Sequence, residues 1–265
     1  MARGLLSKRA KLAGAGVSLA QERRKKKMLR IKNLCYKYPD GHEALKGINF
    51  SIKPQEKIAL VGANGSGKST LLLHIAGALK IQTGEIFFEG TPASPEELIK
   101  KTGLIFQDPD DQILMPSVLE DVAFSLVAGG MKKSQALEKS LRLLESLGIE
   151  KLASRPPHKL SGGEKRMVSF AGVLAADPEV LLLDEPTAGL DPKARRRVIN
   201  FLRESKHTIL LATHDLDMSL DVCSRAVILN QGRTACEGSL PDLFKNEKIL
   251  EVNGLELPLR FACRD

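Results

Sequence analysis

From Met28 onward the apolar positions alternate with period two: Leu29, Ile31, Leu34, Tyr36 and Tyr38, then a turn at Pro39-Asp40-Gly41, then Leu45, Ile48, Phe50 and Ile52. That spacing predicts a pair of half-buried strands. Continuous aliphatic runs follow at Ile58–Val61, Thr102–Phe106, Val180–Leu183, Thr208–Thr213 and Arg225–Asn230, with a further strand at Glu85–Glu89. Runs without a polar face suit strands covered on both sides, as in a parallel sheet. Helical spacing appears between them at Thr70–Leu79, Val118–Val127, Ser134–Leu147, Glu164–Ala175, Pro192–Arg203 and Pro241–Lys245. The two helices within 117–148, parted by Gly129-Gly130, read as an insertion between strands of one sheet. The last twenty residues show no clear period, and no internal repeat is present. The expected architecture is α/β: a mixed, mainly parallel sheet, an antiparallel β subdomain, and a helical subdomain at about 113–175. One domain is expected over 28–245, with a tail at 246–265.

Composition changes this picture in one place. The 265-residue chain has a formal charge of +8, and residues 1–27 hold nine of its 40 Lys+Arg against one of its 32 Asp+Glu. The basic segment therefore carries the whole excess, and residues 28–265 are balanced, so the charge gives no reason to expect nucleic acid as a partner. Residues 1–27 lack the apolar stretch of a secretory signal and read as a disordered extension, or as sequence ahead of a translation start at Met28. Cys35, Cys223, Cys236 and Cys263 are scattered, which suits a reducing compartment and argues against a disulfide framework or a zinc site. No apolar run approaches the ~18 residues of a membrane-spanning helix.

The strand Ile58–Val61 ends in Gly62-Ala63-Asn64-Gly65-Ser66-Gly67-Lys68-Ser69-Thr70. This is G-x-x-x-x-G-K-S between a strand and a helix, the context in which the pattern has physical meaning. Glycines free the backbone N–H groups to surround phosphate oxygens, and the following helix adds its positive N-terminal field. Lys68 is placed to reach the β- and γ-phosphates and Ser69 to ligate Mg²⁺, so the stretch predicts a nucleoside triphosphate site. An aromatic about thirty residues upstream can stack on the base; Tyr38 is the candidate, with Tyr36 second.

Other candidates sit at strand ends, where ligands bind in open α/β sheets. Asp184 closes a run of aliphatics and can hold Mg²⁺; Glu185 follows and can orient and deprotonate water. His214 follows the strand at 208–213, and Gln107 follows the strand at 102–106. Ser161-Gly162-Gly163 opens a helix and offers a second anion-ready N-terminus.

With these features in order, residues 28–245 resemble the nucleotide-binding subunit of ABC transporters. The resemblance implies a P-loop NTPase core that binds ATP and Mg²⁺ and hydrolyses ATP. It makes Glu185 the catalytic base, His214 a contact to the γ-phosphate and to Glu185, and Gln107 a contact to Mg²⁺ and the attacking water. Ser161, Gly162 and Gly163 match the signature motif that binds the γ-phosphate of ATP held by an opposite subunit. Glu164 stands where Gln is more common, and Asp191 matches a loop crossing the dimer interface. A second ATPase subunit, identical or a close paralogue, is therefore implied. Within that family, Phe106-Gln107-Asp108-Pro109-Asp110-Asp111-Gln112 resembles the ATPases of energy-coupling-factor uptake systems for cobalt, nickel and vitamins. Those work with an integral-membrane scaffold subunit, whose short helices carry arginines, and with a solute-binding membrane subunit. Asp110 and Asp111 are the expected docking residues, the peripheral cytoplasmic face of the cell membrane is the expected location, and the short chain after Met28 favours cobalt or nickel. The competing readings are an ABC importer or exporter for a vitamin, amino acid or lipoprotein, and a soluble ABC-type ATPase such as an iron–sulfur assembly factor. A small-molecule P-loop kinase leaves the signature segment and His214 without a task.

Overall fold

The computed structural model describes residues 28–262, so the basic segment 1–27 and Cys263 lie outside it. In chain order the main elements are β1 (Leu29–Lys37), β2 (Glu43–Ile52), β3 (Lys57–Val61), α1 (Lys68–Ile75), β4 (Thr83–Phe88) and β5 (Thr91–Pro92). Next come α2 (Pro95–Lys101), β6 (Thr102–Ile105), α3 (Val118–Ala128), α4 (Lys133–Ser146), α5 (Gly162–Ala175) and β7 (Val180–Asp184). The chain continues with α6 (Pro192–Glu204), β8 (Thr208–Ala212), α7 (Leu216–Val222), β9 (Arg225–Asn230) and β10 (Arg233–Ser239). Three short helices close it: α8 (Leu240–Phe244), α9 (Glu247–Val252) and α10 (Leu259–Ala262).

Two sheets form. One is antiparallel, with order β2-β1-β4-β5; the other has order β10-β9-β3-β8-β7-β6 and is parallel except for the edge pair β10/β9. The central strands of the second sheet are covered on both faces, and the pleat sorts their side chains. Leu181, Leu183, Ile209 and Leu211 pack with α3, α5 and α6 on one side. Val180, Leu182, Leu210 and Ala212 pack on the other side with α1 and the antiparallel sheet. This is why these runs show no alternation in sequence. Helix α1 is thus buried between the two sheets, with Leu71 and Ile75 fully enclosed.

Helix starts follow local capping. Ser94, Ser117, Ser161 and Asp191 each accept a backbone N–H of the first turn, and Pro95 and Pro192 occupy first helical positions. Several boundaries differ from the sequence expectation. Helix α1 stops at Ile75, not Leu79, because Gly77 takes φ 73° just past its end. Helix α5 starts at Gly162, not Glu164, because Ser161 is the cap. Strand β10 and helices α2 and α7 were not evident in the period. Residues 246–262 of the expected tail pack on the fold: α9 buries Leu250 against α8, and Leu255 and Phe261 pack on the same cluster. Among the described residues, no helix is long and apolar enough to cross a membrane.

Candidate nucleotide site

The parallel strands deliver β3, β6, β7 and β8 to one end of the sheet, and the loops leaving that end build the site. After β3 the chain turns through 62–67 into α1. A Cβ at Gly67, which has φ 104°, would lie 2.6 Å from the Ala44 carbonyl oxygen; one at Gly62 would lie 2.3 Å from that of Leu229. Only glycine fits either place. Lys68 folds back beneath the loop, where its Nζ donates to the carbonyls of Gly62 (2.8 Å) and Ala63 (3.1 Å). An ammonium has three N–H bonds, so one remains for a phosphate oxygen. Burial pulls the lysine pKa down, while Glu185 and Asp184 oppose the shift.

A cavity of about 180 Å³ lies above the loop. It gathers Tyr38, Asn64, Gly65, Gly67, Lys68, Ser69, Thr70, Gln107, Asp184 and Glu185 from separate parts of the chain. Gly62, Ala63 and Ser66 do not line it; they shape the turn from behind, and Ser66 is buried. The cavity also takes His42, which sequence reasoning missed: a lone histidine in a turn carries no periodic signal. Its ring lies 6.4 Å from that of Tyr38, at 21°.

The carboxylates differ in environment. Burial, helped by repulsion from Glu185, raises the Asp184 pKa, while the neighbouring Ser69 hydroxyl and Lys68 pull it back. Glu185 adopts φ 43°, a strained conformation for a side-chain-bearing residue, and its backbone N–H is held by the Ala212 carbonyl at 2.9 Å. Its carboxylate is fixed on three sides: Oε2 accepts from Thr213 Oγ1 (2.9 Å), and Oε1 from the His214 backbone N–H (2.9 Å) and ring Nδ1 (2.7 Å). His214 and Glu185 are therefore brought together, with the Glu185 carboxylate held rigid at the cavity wall.

Hard oxygen donors converge here from Ser69, Asp184 and Gln107. Among the described residues no cluster of three His, Cys, Asp or Glu is arranged as a metal cage. One carboxylate beside two neutral oxygen donors suits Mg²⁺, which takes one or two carboxylates and completes its shell with water and substrate phosphates. When bound, it would neutralise developing charge on the transferred phosphoryl group. The arrangement leaves one Lys68 N–H and the loop amides facing the cavity, where they could take phosphate oxygens, and fixes the Glu185 carboxylate at its wall.

Ser161, Gly162, Gly163 and Asp191 do not line this cavity. They form a second group around the start of α5. Ser161 Oγ accepts from the Glu164 N–H (3.3 Å), and the Glu164 carboxylate accepts from the Ser161 N–H (2.8 Å), a reciprocal capping box. This gives the glutamate at 164 a local reason, and these hydrogen bonds hold its pKa down. Asp191 caps α6, accepting from Lys193 and Ala194. A Cβ on Gly163 would sit 2.5 Å from the Ala194 Cβ, so α5 and α6 approach too closely for a larger residue. Gly163→Ala is expected to destabilise by ~1–3 kcal/mol. Adding Ala194→Gly should restore most of the loss, as thermal or urea melts of the double-mutant cycle would show.

The Gln107 segment is clamped by α5. Arg166, fully buried, donates to the carbonyls of Phe106 (2.6 Å) and Gln107 (2.5 Å). It is not among the candidates read from the sequence. Asp110, expected to dock a partner, stays exposed but pairs with Lys165 at 2.6 Å. Asp111 instead faces a wider groove with Phe106, Gln107 and Gly189. Farther along, Asp121 Oδ1 accepts from the N–H groups of Leu114 and Met115, yet burial raises its pKa. The folded state thus favours the proton more than the unfolded chain does, and this contribution to stability is lost as pH rises through the folded pKa. Asp121→Asn keeps an acceptor at Oδ1 and is expected to raise the melting temperature at neutral pH. The gain should shrink on acidification, as Asp121 itself becomes neutral.

A family model described as ABC transporter matches residues 45–188. A putative ABC transporter ATP-binding protein of Geobacter sulfurreducens is 45% identical over 235 residues, covering 88% of this chain and 94% of that protein. The energy-coupling factor transporter ATP-binding protein EcfA of Methanothermobacter thermautotrophicus is 40% identical, covering 87% of this chain and 77% of its own length. Among solved structures, cbiO1 of Clostridium perfringens, part of the ABC transporter complex cbiONQ, superposes with a TM-score of 0.75 at 37% identity, covering 86% of this chain and 94% of its own. A dimeric ATP-binding cassette in a post-hydrolysis state with ADP and Pi superposes at 0.71 with 30% identity, covering 80% and 99%.

Proposed function

This chain belongs to the ABC transporter family as one of its ATP-hydrolysing subunits, and we propose that it powers an energy-coupling-factor uptake system, with cobalt or nickel ions as the solute. The observation that carries the reading is the surface beside Gln107. A residue at the cavity wall is continuous in sequence with an open groove that presents Asp111, so an event at the triphosphate and a contact with a membrane subunit share one short segment. The likeness to EcfA supports the subclass. Two copies, or this chain and a close paralogue, pair so that Ser161, Gly162 and Gly163 of each face the triphosphate of the other, with Mg²⁺ held by Ser69, Gln107 and Asp184. Hydrolysis at Glu185 reopens the pair, and the swing is passed to an integral-membrane scaffold at the cytoplasmic face of the cell membrane.

Tagged protein captured from membranes of its own organism is expected to bring down one integral-membrane scaffold and a small solute-binding membrane protein, in cells that accumulate labelled cobalt or nickel. Recovery from the soluble fraction with assembly factors would overturn the transporter subclass. Asp111→Arg is expected to abolish co-purification of the scaffold, because like charges across a docking surface cost several kcal/mol. An intact complex from this variant would remove Asp111 from the docking surface.

A further inference from the structure

Tyr38 stands just beyond β1, on the turn closed by its N–H to the His42 carbonyl at 2.9 Å, so its backbone alone leaves the ring free to swing. The side chain is nonetheless held. Its hydroxyl lies 3.0 Å from Thr70 Oγ1 on α1. Tyr36 meets it edge-on, with centroids 4.9 Å apart at 85°. Tyr36 in turn meets the His74 ring at 4.5 Å and 69°. His74 returns to the start: its Nδ1 is 2.7 Å from the Thr70 carbonyl, which can only accept, so Nδ1 carries the proton. The four residues close a ring, Tyr38–Thr70–His74–Tyr36, through the Thr70 hydroxyl on one side and its carbonyl on the other, between the antiparallel sheet and the helix that begins at the phosphate loop.

His74 is fully buried, with no well-aligned partner for its Nε2, an unusual place for an imidazole that served packing alone. Burial also keeps it neutral, lowering its pKa against the pull of the Thr70 and Lys80 carbonyls. A neutral ring with a fixed tautomer offers Tyr36 a constant surface, and edge-to-face aromatic contacts are directional.

We propose that Tyr36 and His74 are positioning residues for nucleobase recognition: they lock the Tyr38 ring in the plane that receives the base and register that plane to the phosphate loop. The proposal rests on the reading of Tyr38 as the base-stacking residue. It makes the base and triphosphate subsites one rigid unit, since Thr70 follows Lys68 and Ser69 directly on α1.

The composition supplies the probe. The chain has two tyrosines, Tyr36 and Tyr38, and no tryptophan, so tyrosine emission of the whole protein reports on this ring. Mg-ATP and inorganic tripolyphosphate with Mg²⁺ would be titrated against wild type, Tyr36→Phe, Tyr36→Leu and His74→Asn, with folding checked by thermal melts. In wild type, ATP is expected to quench the emission and to bind more tightly than tripolyphosphate, which has no base. Tyr36→Leu and His74→Asn should lose about tenfold in ATP affinity, within the span of one base–aromatic stack, and leave tripolyphosphate affinity unchanged. Tyr36→Phe retains the ring edge and should recover most of the ATP affinity, with Tyr38 then the sole emitter. Equal losses for both probes would mean that the ring only supports the fold, and would overturn the proposal while sparing the Tyr38 reading. ATP and tripolyphosphate binding alike in wild type would remove that reading and the proposal together. If His74→Asn does not fold, Tyr36→Leu, altering a half-buried side chain, decides the matter alone.

Discussion

With Glu185 replaced by glutamine, the protein is expected to bind Mg-ATP with near-native affinity and to hydrolyse it about 10²–10⁴-fold more slowly, the usual share of a positioned general base. The geometry makes this a clean substitution. An amide oxygen at the Oε1 position still accepts from the backbone and ring of His214, and the Thr213 hydroxyl can turn to accept from the new NH₂. The side chain therefore keeps its place while losing the capacity to take a proton. Phosphate release under saturating ATP, set beside equilibrium nucleotide binding, separates the two effects. Activity above a tenth of wild type would move the base elsewhere, with His214 the first alternative.

Lys68→Ala is expected to act on the other side of that division, lowering ATP affinity by about 10²-fold or more, as the loss of charge-assisted hydrogen bonds to phosphate requires. A second cost follows from the structure. The lysine also satisfies the Gly62 and Ala63 carbonyls, so its removal loosens the loop that presents the backbone amides. Lys68→Arg should not rescue binding, because a planar fork cannot take the place of a compact ammonium that is 8% exposed between two carbonyls. A nucleotide-dependent rise in melting temperature that survives in Lys68→Ala would count against this account.

Most of the residues that touch the cavity, His42 excepted, were legible because short-range rules place them. Glycine spacing, aliphatic runs and capping residues act within a few positions, so the phosphate loop, Asp184 and the start of α5 could be read almost directly. What escaped depends on contacts across the fold. Arg166 looks like a surface cation until the carbonyls of Phe106 and Gln107, some sixty positions away, arrive to receive it. The ion pair of Asp110 escaped notice because Lys165 is 55 positions away in sequence. His74 sat inside a correctly expected helix, yet nothing local said that Tyr36 would meet its ring and itself meet Tyr38. Strand β10 was hidden for another reason: as an edge strand its residues are alternately half-exposed and include Gly238 and Ser239, leaving no apolar signature.

The Arg166 clasp fixes a question of timing. Because one enclosed guanidinium joins the Gln107 loop to the helix whose first turn carries Ser161, neither can shift far without stranding a buried charge, at a cost of several kcal/mol. Loop and helix thus behave as a single lever with two working ends, one at this chain's own phosphates and one at the tip of α5. On the pairing proposed above, a displacement at the Gln107 end would be carried to the tip of α5, where the other subunit's nucleotide is proposed to sit.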